Sequence, residues 1–424
     1  MDKMRVAVFP AGSEIGLEIC NALKYDKAVE LYGLTSVEDH SQMVFERVHC
    51  VPFYTDENFL DKLNLFLREH QIDFLYPAYD DILLFLTRNQ DKICANVVTS
   101  ALETIEITRS KKKTYEFLKQ EDFIPRVYEN VDEIKFYPVF VKPDIGQGSC
   151  GVCKIEAPEE FSKVNDLEKN VICEYLPGEE VTVDCFTDGS GQLLSYIPRT
   201  RSRIRNGIAV RSEVVESTEE IGRIAYRLNT RLEFKGAWFF QLKRDINNQY
   251  KLLEIAARVP GTMGLTRNLG INYPMLTLYV QQGMSVEICK NNYSILVDRA
   301  LISRYQIQMD YQHVYVDLDD TLIVENKVNG ILMNFIYQCL NKGKKIYLLT
   351  RHKGDVAEYL QQYKIAEALF EKIFVLKDEE KAEYILSENA IFIDDSFRER
   401  KGVKNHCNIP VFGVENIESL IEWK

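Results

Sequence analysis

An α/β chain of several domains is what this sequence predicts, and three observations predict it. Short apolar runs alternate with helical patterns at both ends of the chain, the mark of parallel sheets. The middle strings strand-like runs together with few helices between them, which is an α+β pattern with much antiparallel pairing. The length of 424 residues exceeds one core, because domains cluster near ~150 residues. The expected division is 1–107, 108–307 and 308–424.

In the first segment Arg5–Phe9 reads as a strand, Glu14–Leu23 as a helix, Asp73–Tyr76 as a strand and Ile82–Asn89 as a helix. The turn Pro10-Ala-Gly-Ser-Glu-Ile-Gly16 joins the first strand to the first helix. It is a tight strand–helix turn, and such a turn can hold an anion on helix N–H groups. From residue 108 the texture changes. Lys111, Lys112 and Lys113 open a helix expected to reach Gln120. Strands are expected at Val139–Lys142, Val152–Ile155, Val171–Glu174, Val181–Phe186 and Leu193–Ile197. A helix over Thr218–Leu228 and strands at Ala237–Arg244 and Tyr250–Ile255 follow. The last segment alternates again. Its strands are Val314–Asp317, Lys345–Thr350, Lys372–Leu376 and Ala390–Asp394, and its helices Gly330–Asn341, Asp355–Tyr363 and Glu380–Ser387. That is a small doubly wound α/β unit.

Composition narrows the function class. Apolar residues are 46% and charged residues 27%, which is globular rather than disordered. Lys+Arg is 52 against 64 Asp+Glu, a net charge of −12. Nucleic acid is therefore not expected as a partner, because phosphate-backbone binding needs clustered positive charge. No apolar run is long enough for a membrane span and no signal-peptide pattern opens the chain. Ten cysteines, several in apolar runs, read as reduced thiols of a cytoplasmic protein. Cys150 and Cys153 form a CxxC without a second pair or a nearby His, so loop packing is the expectation rather than metal. A homodimer, the commonest soluble assembly, is compatible with the sequence.

Three features of the middle segment carry chemistry. Lys142 ends an apolar strand, Phe140-Val-Lys-Pro143, which fixes where its ammonium projects. Gly146-Gln-Gly-Ser-Cys-Gly151 follows, and three glycines let backbone N–H groups fold over a polyanion. Gln241 and Glu254 sit on consecutive strands, and a carboxylate beside a second oxygen ligand suits Mg²⁺ bridging to nucleotide phosphates. In this order, the segments SKKKTYEFLKQEDFIP, FVKPDIGQGSCGV, VICEYLPGEEVTVDCF, FFQLKRD and LLEIAARVPGT resemble the ATP-grasp superfamily. The likeness covers about residues 1–300, with a Rossmann-like domain in front of the ATP-grasp domain. It is nearest in appearance to carboxylate–amine ligases and carbamoyl-phosphate-synthase-like proteins.

That resemblance implies roles residue by residue. Lys111 and Lys142 would be the nucleotide-binding lysines, with Lys142 on the α- and β-phosphates. Gly146, Gly148, Ser149 and Gly151 would form the lid. Glu174 would meet the adenine amino group, with backbone contacts from Tyr175 and Leu176, and Glu180 would meet the ribose. Gln241 and Glu254 would hold Mg²⁺, and Arg258 would meet the phosphates or the acyl-phosphate. The family often reads Glu-x-Asn-x-Arg at the second metal strand, whereas this chain reads Glu254-Ile-Ala256-Ala-Arg258. One metal ligand is therefore absent. The implied reaction phosphorylates a small-molecule carboxylate with ATP and lets an amine displace phosphate. Arg199, Arg201, Arg203, Arg205 and Arg211 cluster in an otherwise acidic chain. Some of them are expected to grip a substrate carboxylate or phosphate, the alternative being a solvated mobile loop.

The last segment holds Val314-Tyr-Val-Asp317-Leu-Asp319-Asp-Thr321, a strand that ends in two carboxylates. The strand end is where ligands bind in such sheets, and acidic groups there suit Mg²⁺ and an aspartyl-phosphate. With Thr350, Asp394 and Asp395 at later strand ends, the set resembles the haloacid-dehalogenase (HAD) superfamily of phosphatases over about 312–424. The resemblance implies Asp317 as nucleophile and Asp319 as general acid/base with its carbonyl on Mg²⁺. Thr350 and a lysine would hold phosphate, Lys381 being preferred to Lys377, and Asp394 would be a metal ligand. The intervals from Asp317 to Thr350 and from Thr350 to Asp394 are filled by expected elements, so the unit is expected to lack a cap; its open site would then accept a large phosphorylated metabolite or be covered by the ATP-grasp unit. The first expectation is thus a ligase fused to a phosphatase. A protein with one catalytic domain and a non-enzymatic nucleotide sensor stay open beside it.

Overall fold

The computed structural model describes residues 3–146, 148 and 150–424. The chain divides into two compact units, 1–301 and 302–424.

The first unit begins with β1 (Met4–Phe9), α1 (Glu14–Leu23), β2 (Val29–Thr35), β3 (Val48–Cys50), α2 (Phe59–Glu69), β4 (Phe74–Pro77), α3 (Asp80–Arg88) and β5 (Asn96–Val97). All pairings in this sheet are parallel, in the order β3-β2-β1-β4-β5. The order reverses between β1 and β4, which makes their C-terminal ends a switch point where ligands bind in such sheets. The Ser13 hydroxyl caps α1 by accepting from the Gly16 N–H at 2.9 Å, and it donates to the Ala78 carbonyl at 2.9 Å. That second bond ties the two strand ends together. A Cβ on Gly16 would stand 2.6 Å from the Pro10 carbonyl, so only glycine lets the helix start this close to the strand.

Next come α4 (Leu102–Arg109), α5 (Lys111–Phe117), β6 (Val127–Tyr128), β7 (Val139–Pro143), β8 (Cys153–Ile155) and β9 (Asn170–Glu174). Strands β6-β9-β7-β8 form an antiparallel sheet. After it run β10 (Glu180–Thr187), β11 (Leu193–Thr200), β12 (Arg203–Arg205), β13 (Ile208–Glu213), α6 (Glu219–Arg231), β14 (Gly236–Arg244) and β15 (Tyr250–Ala256). The remaining elements are α7 (Gly264–Asn268), α8 (Tyr273–Gln281) and β16 (Leu296–Asp298). Strands β11-β10-β14-β15 form a second antiparallel sheet and β12-β13-β16 a small third one. The apolar face of α6, with Ile221, Ile224, Ala225 and Leu228, packs with Trp238 and Phe240 of β14 in one core. Gln241 alternates with Trp238 and Phe240 along β14 and so lies on the other face of the sheet.

The second unit holds β17 (His313–Val316), the short hairpin β18 (Ile323–Val324) and β19 (Lys327–Val328), then α9 (Gly330–Asn341), β20 (Lys345–Thr350), α10 (Val356–Gln362), β21 (Lys372–Val375), β22 (Ala390–Ile393), α11 (Phe397–Cys407) and β23 (Val411–Phe412). Its sheet is parallel, in the order β21-β20-β17-β22-β23. The helix expected over Glu380–Ser387 is a single 3-10 turn at Lys381–Tyr384 instead. The reason is that the Lys381 side chain is buried, 3% exposed, and is tied to two carboxylates across the sheet edge.

Candidate active sites

In the first unit a cavity of about 160 Å³ is lined by residues of both antiparallel sheets. Of the residues the sequence points to, Lys111, Lys142, Gly146, Gly148, Glu174, Tyr175, Leu176, Glu180, Gln241 and Glu254 all line it. Gly151, at φ +73°, is not among the lining residues, and a Cβ there would stand 3.1 Å from Pro143 Cγ. Ser149 lies outside the described residues.

Antiparallel pairing explains much of this convergence. Gln241 stands directly opposite Glu254 in the β14–β15 ladder, and opposed side chains share a face about 5 Å apart. Two oxygen donors so placed fit a divalent cation, and Ala256 adds none. Lys142 is 5% exposed and donates to the Tyr115 hydroxyl at 2.6 Å and the Leu253 carbonyl at 3.2 Å. Burial pushes the Tyr115 phenol up to about 12, so it stays neutral and donates to the Leu253 carbonyl at 2.9 Å. Lys111 donates to the Asp144 carbonyl at 3.3 Å, and burial lowers its ammonium pKa while Glu254 works against that shift. Glu174 accepts from the Arg126 N–H at 2.8 Å. Tyr115 is a member of this site that the sequence did not single out, and only tertiary neighbours mark it. Arg201, a member of the arginine cluster, also lines the cavity.

Glu180 lies 2.6 Å from Arg201 and 4.0 Å from Lys243. Arg201 also donates to the Gly207 carbonyl at 2.9 Å. Asn206 and Gly207 both take positive φ, 49° and 74°, as a tight two-residue hairpin turn requires. A Cβ on Gly207 would stand 2.0 Å from the Gly148 carbonyl carbon, so the hairpin tip rests against the glycine loop.

Of the arginine cluster, Arg201 lines the cavity, and four members carry carboxylate partners. Arg199 is 2% exposed and bound to Asp184 at 3.0 Å. Arg203 and Arg211 both hold Asp298 of β16, and Arg201 holds Glu180. These partners lie far along the chain or on another strand, which sequence alone does not pair. Arg258, expected to meet the phosphates or the acyl-phosphate, clasps Asp80 through two bonds of 2.7 Å, Nε to Oδ1 and Nη2 to Oδ2. Burial alone would raise the Asp80 carboxyl, but the guanidinium overrides it and holds it below the usual range.

In the second unit Asp317 follows β17, Thr350 ends β20 and Asp394 follows β22. Because β20 and β22 flank β17, the three strand ends meet at one sheet edge. Lys381 reaches Asp317 at 2.5 Å and Asp394 at 2.7 Å. The Lys377 backbone accepts from Arg351 at 2.8 Å and donates to Glu379 at 2.8 Å. Among the described residues, the carboxylates whose oxygens gather within 4.8 Å are Asp317, Asp394 and Asp395, a donor set that fits a hard cation. The Asp319 side chain stands apart from that group and meets His352 Nδ1 at 2.9 and 3.0 Å. Thr350 is fully buried, and its hydroxyl accepts from the His352 N–H at 3.1 Å. His352 was missed, although its place two residues past a strand end that carries a site residue is a usable signal. Burial, more than the Asp394 charge beside it, pushes the Asp317 carboxyl up to about 7 against the pull of Lys381.

A family model described as "ATP-grasp in the biosynthetic pathway with Ter operon" matches residues 166–300. Among curated proteins no relative matches the chain. Solved structures do. The biotin carboxylase domain of Hydrogenobacter thermophilus 2-oxoglutarate carboxylase, in complex with MgADP and bicarbonate, is 15% identical. That match covers 70% of this chain and 74% of the other, at a TM-score of 0.57. L-amino acid ligase from Bacillus licheniformis is 18% identical over 66% and 75%, at 0.52. N5-carboxyaminoimidazole synthetase from Staphylococcus aureus, in complex with ADP, is 17% identical over 68% and 79%, at 0.56. With the lysines, the glycine loop and the Gln241–Glu254 pair gathered in one cavity, these likenesses establish that the chain carries an ATP-grasp fold.

Proposed function

We propose that the first unit is an ATP-dependent ligase that joins a small-molecule carboxylate to an amine through an acyl-phosphate. The observation that carries this reading is the convergence of Lys111, Lys142, Gln241 and Glu254 on one cavity. Similar folds in the solved structures hold ADP, and one holds MgADP, which supports ATP and Mg²⁺ as ligands here. A substrate carboxylate oxygen attacks the γ-phosphorus, the bond to the β-phosphate oxygen breaks, and ADP leaves. The amine nitrogen then attacks the acyl carbon, the acyl C–O bond breaks, phosphate leaves, and the amine proton passes to solvent. Lys142, held rigidly by Tyr115, places one positive charge against the phosphates, and Lys111 places a second. Bound at Gln241 and Glu254, Mg²⁺ supplies further neutralisation of phosphate charge. The three-part division 1–107, 108–307 and 308–424 is the domain reading that goes with this function.

The second unit we read as a HAD-type phosphatase for a related phosphorylated compound. Its support is the meeting of Asp317, Lys381 and Asp394 at one sheet edge. Asp317 would attack phosphorus while Asp319 protonates the leaving oxygen, and water would then release phosphate from Asp317. Asp394 and Asp395 would hold Mg²⁺ with Asp317. A second reading keeps only this unit catalytic, and the absence of an oxygen donor at Ala256 favours it.

The test is ADP release with Mg²⁺ and ATP against pooled carboxylates and amines, beside phosphate release from a panel of phosphorylated metabolites. ADP formation that needs both a carboxylate and an amine, and that is lost in Lys142→Ala, is the expected result. Phosphate release lost only in Asp317→Asn, with no ADP from any pool, would overturn the ligase reading in favour of the second.

A further inference from the structure

A second cavity of about 40 Å³ adjoins the first, and Lys111, Gly146 and Glu254 line both. Its other walls include Asp80, Arg109, Ala256 and Arg258. Asp80 opens α3 just past β4, beside the strand at which the first sheet reverses its order. A ligand head group here would therefore stand between the switch point of the parallel sheet and the metal-ligand candidate Glu254. The space suits a head group rather than a whole ligand. The methyl group of Ala256 leaves it open beside Glu254.

What fills the wall of this cavity is a charge pair. Arg258 and Asp80 meet through two parallel bonds of 2.7 Å each, and their side chains are 12% and 15% exposed. A ligand with one charge that entered here would take one partner and strand the other, and a stranded buried charge is costly. A ligand with a carboxylate and an ammonium side by side exchanges with the pair and leaves neither group alone. Arg forks match carboxylates bidentately, and Asp80 accepts from an ammonium as it now accepts from a guanidinium.

We propose that the carboxylate activated by the first unit is that of an α-amino acid, bound by exchange with the Arg258–Asp80 pair. The carboxylate sits on Arg258, towards Lys111 and Glu254, and the ammonium sits on Asp80. This rests on the ligase reading. The phosphoryl and acyl transfers are those already written. The added consequence is that the bound ammonium, kept protonated on Asp80, has no lone pair with which to attack an acyl-phosphate. The nucleophile is a different amine, and the product is joined through the amino acid's own carboxylate.

The experiment uses the full chain with Mg²⁺ and ATP, and hydroxylamine as a universal amine that traps any acyl-phosphate as a hydroxamate. Each common L-amino acid is compared with its N-acetyl derivative, beside acetate and succinate. Binding of the same compounds to the ADP-loaded protein is measured by calorimetry. The expected result is hydroxamate from at least one amino acid, with kcat/KM at least about 100-fold lower for its N-acetyl form, since a polar site rejects the analogue that lacks its partner. Binding should weaken in parallel. In Asp80→Asn the N-acetyl penalty should shrink to about tenfold or less. Should this variant fail to fold, the derivative series on the native chain decides alone. Equal or better turnover of N-acetyl amino acids, acetate or succinate would overturn the proposal and leave the ligase reading standing. No ADP from any carboxylate would overturn both.

Discussion

Two buried charge clusters, one in each unit, solve the same problem in opposite ways. In the first unit one guanidinium meets one carboxylate, Arg258 on Asp80, and the charges cancel. In the second unit one ammonium meets two carboxylates, Lys381 between Asp317 and Asp394, and a negative charge is left over. The balance decides the acid–base state. Asp80 is held below the usual carboxylate range, while the Asp317 carboxyl is pushed up to about 7 and that of Asp394 is raised too. A neutral pair is a place for a zwitterion to exchange. A cluster with surplus negative charge is a place for a cation, and Asp395 stands ready beside it.

The largest expected effects separate the two sites by chemistry. Asp317→Asn removes the oxygen proposed to attack phosphorus and should lower phosphate release by about 10,000-fold, with ADP formation unchanged. Lys142→Ala should lower ADP formation at least about 100-fold and leave phosphate release untouched. Initial rates of both reactions in both variants check the independence of the units. If either substitution lowers both rates alike, the comparison of two separate sites breaks.

Breaking each pair should cost stability, about 3 kcal/mol for a buried charge left alone. Asp80→Asn strands Arg258, and Lys381→Met strands two carboxylates. The chain has two tryptophans, Trp238 in the first unit and Trp423 in the second. Urea melts of Trp238→Phe and Trp423→Phe backgrounds therefore report the units one at a time. The Lys381→Met penalty should be smaller at pH 5 than at pH 8, because protonation relieves the stranded carboxylates. The Asp80→Asn penalty should be the same at both, since Arg258 does not titrate there.

A sharper test is the pH dependence of the unsubstituted, metal-free chain. A carboxyl raised from 3.8 to about 7 binds more protons folded than unfolded. The stability of the second unit should therefore fall as pH rises from about 4 to about 7 and level off above. Mg²⁺ affinity there should weaken as pH falls below about 7, because protons compete for Asp317. The first-unit pair has the opposite sign. The Asp80 contribution is fully present above the unfolded value of 3.8 and is lost as pH falls through its depressed folded value. Across pH 4 to 7 it should be flat. Melts followed by Trp423 and Trp238 fluorescence that show equal slopes would erase the contrast.

The smallest effect should come from the hairpin tip. Gly207→Val puts a branched side chain at φ +74° and against the Gly148 backbone. That costs about 1–3 kcal/mol locally. It should raise KM for ATP a few-fold, with kcat and phosphate release unchanged.

Much of the fold was legible because its signals are local. Glu14–Leu23, Gly330–Asn341 and Lys345–Thr350 were read with their observed bounds. Ser13 and Asn329 cap the two helices from the residue just before each. The helices Phe59–Glu69, Tyr273–Gln281 and Phe397–Cys407 went unread. In the last, Val403 is the one residue buried, so its apolar periodicity is faint. The residues that line the first-unit cavity were legible from Lys142 at a strand end, the glycine loop and the resemblance of the motifs around them. Their hydrogen-bond partners were not, since Tyr115 and Lys142 are 27 residues apart and Asp80 and Arg258 178 apart.

By itself the sequence determined the alternation of strands and helices at both ends of the chain, the residues at several strand ends and the excess of negative charge, because capping, alternation and composition act over a few residues. Only the tertiary structure decided which charges meet. It placed Asp80 on Arg258 and Lys381 between two aspartates. The reason is physical. A charge buried in a low-dielectric interior must find a partner wherever the fold brings one, and sheet order, not distance along the chain, chooses that partner.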